Sequence, residues 1–128
     1  MSPTPDGVNF PDPRPRTRTS RAGESRVAGQ RCAVCSFPVA LAAPWCPKCR
    51  GALVPAEFGP EGVVWASTVV RVALPGRTPP YALTYVDLDE GPRVLGHLKS
   101  ATAARVPAGQ RVRLLGESPD GDLAFELV

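Results

Sequence analysis

With 128 residues, 43% of them apolar and 21% charged, the chain has the composition of one ordinary globular domain or two very small ones. Its 16 prolines and 12 glycines exclude long helices, and no stretch approaches the ~20 apolar residues of a membrane span. The net charge of +3 is uneven: residues 1–26 carry five arginines and three acids, residues 27–55 three bases and no acid, and residues 56–128 seven bases against nine acids. The largest globular part is therefore mildly acidic, which argues against a nucleic-acid groove on it.

Residues 1–27 read as a Pro/Arg-rich tail. Pro3, Pro5, Pro11, Pro13 and Pro15 block regular structure, and the arginines from Arg14 to Arg21 follow no apolar period, so the stretch is expected to be extended or disordered. Phe10 is its one candidate for docking elsewhere. The first residues show neither a basic nor an apolar export region, and reduced cysteines then point to the cytoplasm.

Residues 28–55 hold all four cysteines, as Cys32-Ala-Val-Cys35 and Cys46-Pro-Lys-Cys49. Two CxxC turns each aim a pair of sulfurs at one point, and together they close a tetrahedron. Soft thiolates select zinc or, in a rubredoxin-like site, iron, and four protein ligands leave no open position for chemistry. The expected cofactor is a structural Zn2+. Trp45-Cys46-Pro-Lys-Cys49 also looks locally like a thioredoxin-type redox site, but that motif needs a helix behind it, and Gly51 and Pro55 leave no room for one. Gly51 is expected to supply a positive φ after the second knuckle. Phe37 and Trp45 are placed to shield the metal.

Residues 56–128 read as β-structure. Val63–Val72 is rich in β-branched residues, with Val64, Ala66, Thr68, Val70 and Val72 expected on one face and Trp65, Ser67, Val69 and Arg71 on the other. A proline-rich loop follows. Tyr81–Leu88 and Arg93–Leu98 flank a turn and form a hairpin. Ser100–Arg105 suits a turn of helix. Residues 111–115 and 123–128 alternate as two further strands, the last with Leu123, Phe125 and Leu127 inward. Five short strands with an irregular link between the third and fourth predict a five-stranded OB-fold barrel, with a small sandwich as the alternative.

No catalytic constellation is legible. His97 is the sole histidine, on a strand; no Ser-His-Asp set, spare cysteine or phosphate loop accompanies it. Asp87, Asp89 and Glu90 cluster at a turn, where acids are usually solvated. Trp65, Tyr81 and Tyr85 are candidate stacking rings, with Arg71, Arg93, Arg111 and Arg113 near them. Such a set suits either a ligand- or partner-facing surface or, as the alternative, single-stranded nucleic acid.

The motifs Arg31-Cys-Ala-Val-Cys35, Trp45-Cys-Pro-Lys-Cys49, Ser67-Thr-Val-Val-Arg71, Pro80-Tyr-Ala-Leu-Thr-Tyr-Val-Asp-Leu88 and Glu90-Gly-Pro-Arg93 stand in an order that resembles a known family. It is the zinc-ribbon/OB-fold proteins associated with acyl-CoA enzymes, long grouped as a domain of unknown function, and the similarity covers roughly residues 28–128. The resemblance implies a non-catalytic accessory subunit that pairs with a thiolase, a thiolase-like aldolase or a hotdog-fold hydratase. Such subunits serve acyl-CoA metabolism, including steroid side-chain degradation and archaeal isoprenoid precursor synthesis. It further implies a barrel that contacts coenzyme A or bridges two enzymes, with Trp65, Arg71, Tyr81, Tyr85 and Arg93 as the acyl-CoA or partner surface. Family members often carry helices before the ribbon; here a proline- and arginine-rich stretch stands in their place.

Overall fold

Strands make up all the regular structure among the described residues, 13–99 and 106–128, of the computed structural model. The first four, β1 (Arg16–Thr19), β2 (Ser25–Cys32), β3 (Pro38–Val39) and β4 (Leu53–Phe58), form an antiparallel sheet organised by β2. β2 pairs with β1 over its first half, with β3 at Gln30 and Arg31, and with β4 from Val27 to Cys32. The two cysteine knuckles hang from the far end of the β2–β4 ladder, where Cys32 faces Leu53.

The other five, β5 (Glu61–Val70), β6 (Tyr81–Leu88), β7 (Arg93–Lys99), β8 (Arg111–Glu117) and β9 (Leu123–Leu127), close into a barrel in the order β5-β6-β7-β9-β8. β8 pairs back to β5 at Glu61–Val63. This is the order of an OB-fold, with β7 and β9 its parallel pair. Alternation carries the design. On β6, Ala82, Thr84, Val86 and Leu88 point in; on β7, Val94, Gly96 and Leu98 do. Val112, Leu114, Leu123 and Phe125 complete the interior. Gly96 is dictated by close approach, since a Cβ there would stand 2.7 Å from the Phe125 ring and 2.9 Å from the Leu123 carbonyl. Thr84 is the one buried polar side chain among the described residues, and its hydroxyl donates to the Ala66 carbonyl at 3.2 Å.

Three sequence expectations need correction. The tail reading fails for residues 16–27, because Arg16–Thr19 pairs in register with Ser25–Ala28 and the ribbon's sheet begins well before residue 28. The boundary drawn between residues 55 and 56 falls inside a strand, since β4 runs from Leu53 to Phe58. In β5 the expected two-face alternation breaks at a bulge between Val64 and Ala66. Val64 is buried, but Trp65 and Ala66 are both exposed, and beyond them Ser67 and Val69 turn inward where Thr68 does not. One extra residue in a strand reverses the parity of everything after it. Ser67 uses its inward position to donate to the Val106 carbonyl (2.6 Å) and accept from the Val106 N–H (2.9 Å). The helical turn expected at 100–105, and Phe10, lie outside the described residues.

The ribbon sheet and the barrel share one apolar core. Val27 and Phe58, register partners on β2 and β4, are 0% and 3% exposed and cluster with the barrel's Val86, Leu88, Val94 and Leu114. Hydrogen bonds reinforce the junction: Arg26 donates to the Gly59 carbonyl (2.9 Å), Arg31 to the Glu90 carbonyl (2.6 Å) and Ser25 to the Leu115 carbonyl (3.2 Å). The uneven charge of the sequence is resolved here as well. Arg14 meets Asp122, Arg16 meets Glu117 and Arg18 meets Glu57 at 3.0, 3.5 and 3.7 Å.

Candidate metal centre and outer barrel face

Four sulfurs converge where the two knuckles meet. The Sγ atoms of Cys32, Cys35, Cys46 and Cys49 all lie within 4.8 Å of one another, Cys32 to Cys49 at 3.4 Å and Cys35 to Cys46 at 3.7 Å. Those separations exceed the ~2.05 Å of a disulfide and suit thiolates sharing one ion. Each CxxC turn donates backbone N–H groups to its first sulfur: Val34 and Cys35 to Cys32 at 3.3 and 3.4 Å, Lys48 to Cys46 at 3.4 Å. Gly51 donates to Cys49 at 3.4 Å.

This electrostatic arrangement favours a cation. The Cys35 N–H, helped by that of Val34, draws the Cys32 thiol down to about 6 against the opposing effect of burial. At Cys49 the Gly51 N–H favours the thiolate, yet the neighbouring sulfurs, Cys32 first, push the thiol up to about 12. Four thiols this close cannot all ionise on their own, and a central dication removes the repulsion that holds the proton on Cys49. The donor set is all sulfur, the geometry is closed, and the cluster is compatible with a metal ion.

Two details of the knuckles differ from expectation. The positive φ values fall on Ser36 and Arg50, both 64°, each the residue directly after a CxxC. Gly51 instead serves close approach: a Cβ on it would stand 2.9 Å from Val34 Cγ2 and 3.0 Å from Cys32 Sγ. Phe37 and Trp45, placed by the sequence as shields of the metal, are both exposed, while Cys32 and Cys46 are buried.

The rings and arginines singled out on the barrel divide into two groups on its outer face. Trp65, projected by the β5 bulge, meets Tyr85 edge-on at 6.0 Å, and the Arg93 guanidinium lies 3.8 Å above the Trp65 ring. Arg93 is held there by a two-point pair with Asp87, at 2.6 and 3.1 Å, which also raises its pKa. Leu95, opposite Tyr85 on β7, extends this exposed group. Tyr81 belongs elsewhere, 5.8 Å from the His97 ring and under the guanidinium of Arg77. Arg71, just past β5, is exposed and joins neither group. Arg111 and Arg113, expected near the rings, are engaged elsewhere: Arg111 with Asp89 at 2.6 Å and Glu61 at 3.4 Å, Arg113 with Glu24 at 3.9 Å. The turn acids Asp87 and Asp89 are thus ion-pair partners.

Sequence reasoning missed one cluster. Asp122 accepts from Arg14 at 3.0 Å and from Arg77 at 2.7 Å, and His97 Nε2 stands 3.2 Å from it. Burial acts to raise the Asp122 pKa, but these partners, Arg14 first, outweigh it and hold the carboxyl below its ordinary value. Asp120-Gly-Asp122 was legible only as a turn; its partners lie 45 and 108 residues away, and no local pattern announces them.

Residues 56–117 match the family model described as "ChsH2, C-terminal OB-fold domain". The matched segment, which holds four of the five barrel strands, is similar to the ChsH2 C-terminal OB-fold domain family. The likeness to solved structures extends beyond the matched segment: the chain is 28% identical to a chain of the Ltp2-ChsH2(DUF35) aldolase, with a TM-score of 0.63, over 80% of this chain and 84% of that one. Among curated proteins it is 50% identical over 40 residues to the 3-oxo-4,17-pregnadiene-20-carboxyl-CoA hydratase alpha subunit of Mycobacterium tuberculosis (strain ATCC 25618 / H37Rv). That stretch is 31% of this chain and spans 13% of the hydratase subunit's length. The four-cysteine ribbon lies ahead of the segment that matches the ChsH2 domain and shares a core with its barrel. Among the described residues no helix is long and apolar enough to cross a membrane.

Proposed function

We propose that this protein is an accessory subunit of an acyl-CoA-processing enzyme. Its four cysteines hold a structural Zn2+ that cross-links the two knuckles. Its ChsH2-type barrel docks on a thiolase-like or hotdog-fold hydratase-like partner and helps present acyl-CoA, and it carries out no reaction of its own. The observation that carries this reading is the likeness over 80% of the chain to the Ltp2-ChsH2(DUF35) aldolase, whose name couples a ChsH2 component to Ltp2. The hydratase relative is likewise a subunit that acts on a carboxyl-CoA.

The outer face supports the same reading. Trp65, Tyr85 and Arg93 are the residue types that dominate protein-interface energetics, and they are stacked and pre-ordered on three neighbouring strands, β5, β6 and β7. Tyr81, beside His97, and the exposed Arg71 stand outside this cluster. A base-stacking role is less well served. Arg93 covers the Trp65 face and is neutralised by Asp87, and Arg14, Arg16, Arg18 and Arg26 are engaged with acids of this same chain. Co-expression with thiolase-like and hotdog-fold candidates, followed by affinity capture and size-exclusion chromatography, tests the proposal. A stoichiometric complex that binds acyl-CoA is expected. No complex with either class, together with micromolar, steeply salt-dependent binding of single-stranded DNA, would overturn it.

A further inference from the structure

The outer faces of β6 and β7 form the floor of a cleft of about 610 Å³. Three separate pieces of chain wall it: residues 13–15, the ribbon at Ala40 and Leu41, and the loop at Leu74–Arg77. Its apolar surface comes from Leu41, Leu74, Pro75, Tyr81, Leu83 and Leu95. Leu41, Leu74 and Leu95 are 48, 51 and 46% exposed, although all three converge on one concavity. A polar cluster lies where Arg77, His97 and Asp122 meet, and Arg93 lines the cleft elsewhere.

We propose that this cleft is a small-molecule site for an uncharged, mainly apolar group bearing one hydrogen-bond-accepting oxygen, a carbonyl being the simplest case. The size argues for a small molecule, since such sites enclose roughly 300–1,000 Å³ and combine apolar walls with a few convergent polar groups. The charge argues for a neutral one. Each cation of the lining already faces a carboxylate of this chain: Arg14 faces Asp122, Arg77 faces Asp122 and Asp120, and Arg93 faces Asp87. The oxygen is assigned by the donor that is least satisfied. Arg77 Nη2 is engaged by Asp122 at 2.7 Å and Asp120 at 3.2 Å, but Arg77 Nη1 meets only the His97 Nδ1 atom, at 3.5 Å. At that length the bond is weak, and a carbonyl entering along Tyr81 would be the better partner for Arg77. One wall depends on a polar clasp, because residues 13–15 are held at the cleft by Arg14 donating to the Asp120 carbonyl at 2.6 Å and to Asp122 at 3.0 Å. The cleft shares Arg93 and Leu95 with the edge of the Trp65–Tyr85–Arg93 group, but the proposal does not depend on the docking reading.

The probe is Prodan, an uncharged naphthalene dye with a single ketone and an emission that shifts with polarity. The zinc-loaded full chain is titrated with it. A blue-shifted, saturable signal at one dye per chain is expected. Leu83→Glu places a charge on the apolar floor and should weaken binding about tenfold or more. Leu41→Glu, on the exposed ribbon side, gives the same test without disturbing the barrel, while Val54→Ser, at an exposed apolar position outside the cleft, should leave binding unchanged. Equal binding in all four proteins, or uptake of several dyes per chain, would overturn the site. Tighter binding of the anionic analogue anilinonaphthalene sulfonate than of Prodan would overturn the uncharged class of ligand.

Discussion

Removing the metal should melt one part of this molecule and spare the rest. Cys46 is fully buried, and Cys46→Ser replaces one of four converging sulfurs by an oxygen that binds the ion less well. Between Cys32 and Leu53 the backbone is held by few hydrogen bonds. Besides the two-residue β2–β3 ladder and the side-chain bonds of Gln30 with Ala43 and of Arg31 with Ser36, they are Cys32 N–H to Phe37, Ala33 to Ala52, Ser36 to Cys32, Cys46 to Gly51 and Arg50 to Cys46, at 2.8–3.0 Å. Each nets about 1 kcal/mol, so together they supply about 5 kcal/mol. A structural four-thiolate zinc contributes apparent values of about 10–16 kcal/mol at neutral pH, the larger share by a factor of two to three. Val34, Phe37, Leu41 and Trp45 are exposed and offer no core to compensate. The ladder from Val27↔Phe58 to Gln30↔Pro55 is different, because Val27 and Phe58 are buried in the barrel's own core. Hydrogen exchange read by mass spectrometry separates the two regions. In Cys46→Ser, or in the wild type with a chelator, peptides within 33–52 should lose protection while those of 25–31 and of the barrel keep theirs. Unchanged protection of 33–52 in a protein shown to contain no metal would refute the reasoning, and so would collapse of the barrel along with the ribbon.

Three further outcomes are expected. Phe58→Ala, which empties a buried site shared by ribbon and barrel, should cost about 3–5 kcal/mol and lower a single cooperative transition in calorimetry; two separate transitions would contradict a shared core. Trp65→Ala and Arg93→Ala should each weaken capture of the partner enzyme by about 2 kcal/mol, near thirtyfold, with little change in thermal stability, as read by calorimetric titration. Asp122 has a folded pKa below its ordinary 3.8, so its stabilisation is present above that value and disappears as pH falls through the lower folded value. In acid the wild type should therefore release residues 13–15, seen as new exchange or proteolysis there, whereas Asp122→Asn should release them at neutral pH as well.

The metal centre was readable from the sequence because its information is local. Two CxxC turns, ten residues apart, bring four sulfurs together by backbone geometry alone, and Tyr81–Leu88 and Arg93–Lys99 announced themselves as a hairpin by strict alternation and a turn between them. Much of what surrounds these elements had no local signature. A single inserted residue at Trp65 reversed the inner and outer faces of β5, and propensity does not say where a strand will bulge. Arg16–Thr19 looked like solvated tail because its strand character comes from pairing with Ser25–Ala28 and from acids on β8 and β4. The Arg14–Asp122–Arg77–His97 clasp joins residues from four separate stretches, and the cleft it closes exists only between them. Composition, cysteine spacing and the barrel's strand count were therefore determined by the chain itself, since each depends on neighbours within a few residues. Only tertiary structure decided which arginines were spent on partners within the molecule, which rings stand together, and where a concavity forms, because those depend on distances between segments that sequence separation does not encode.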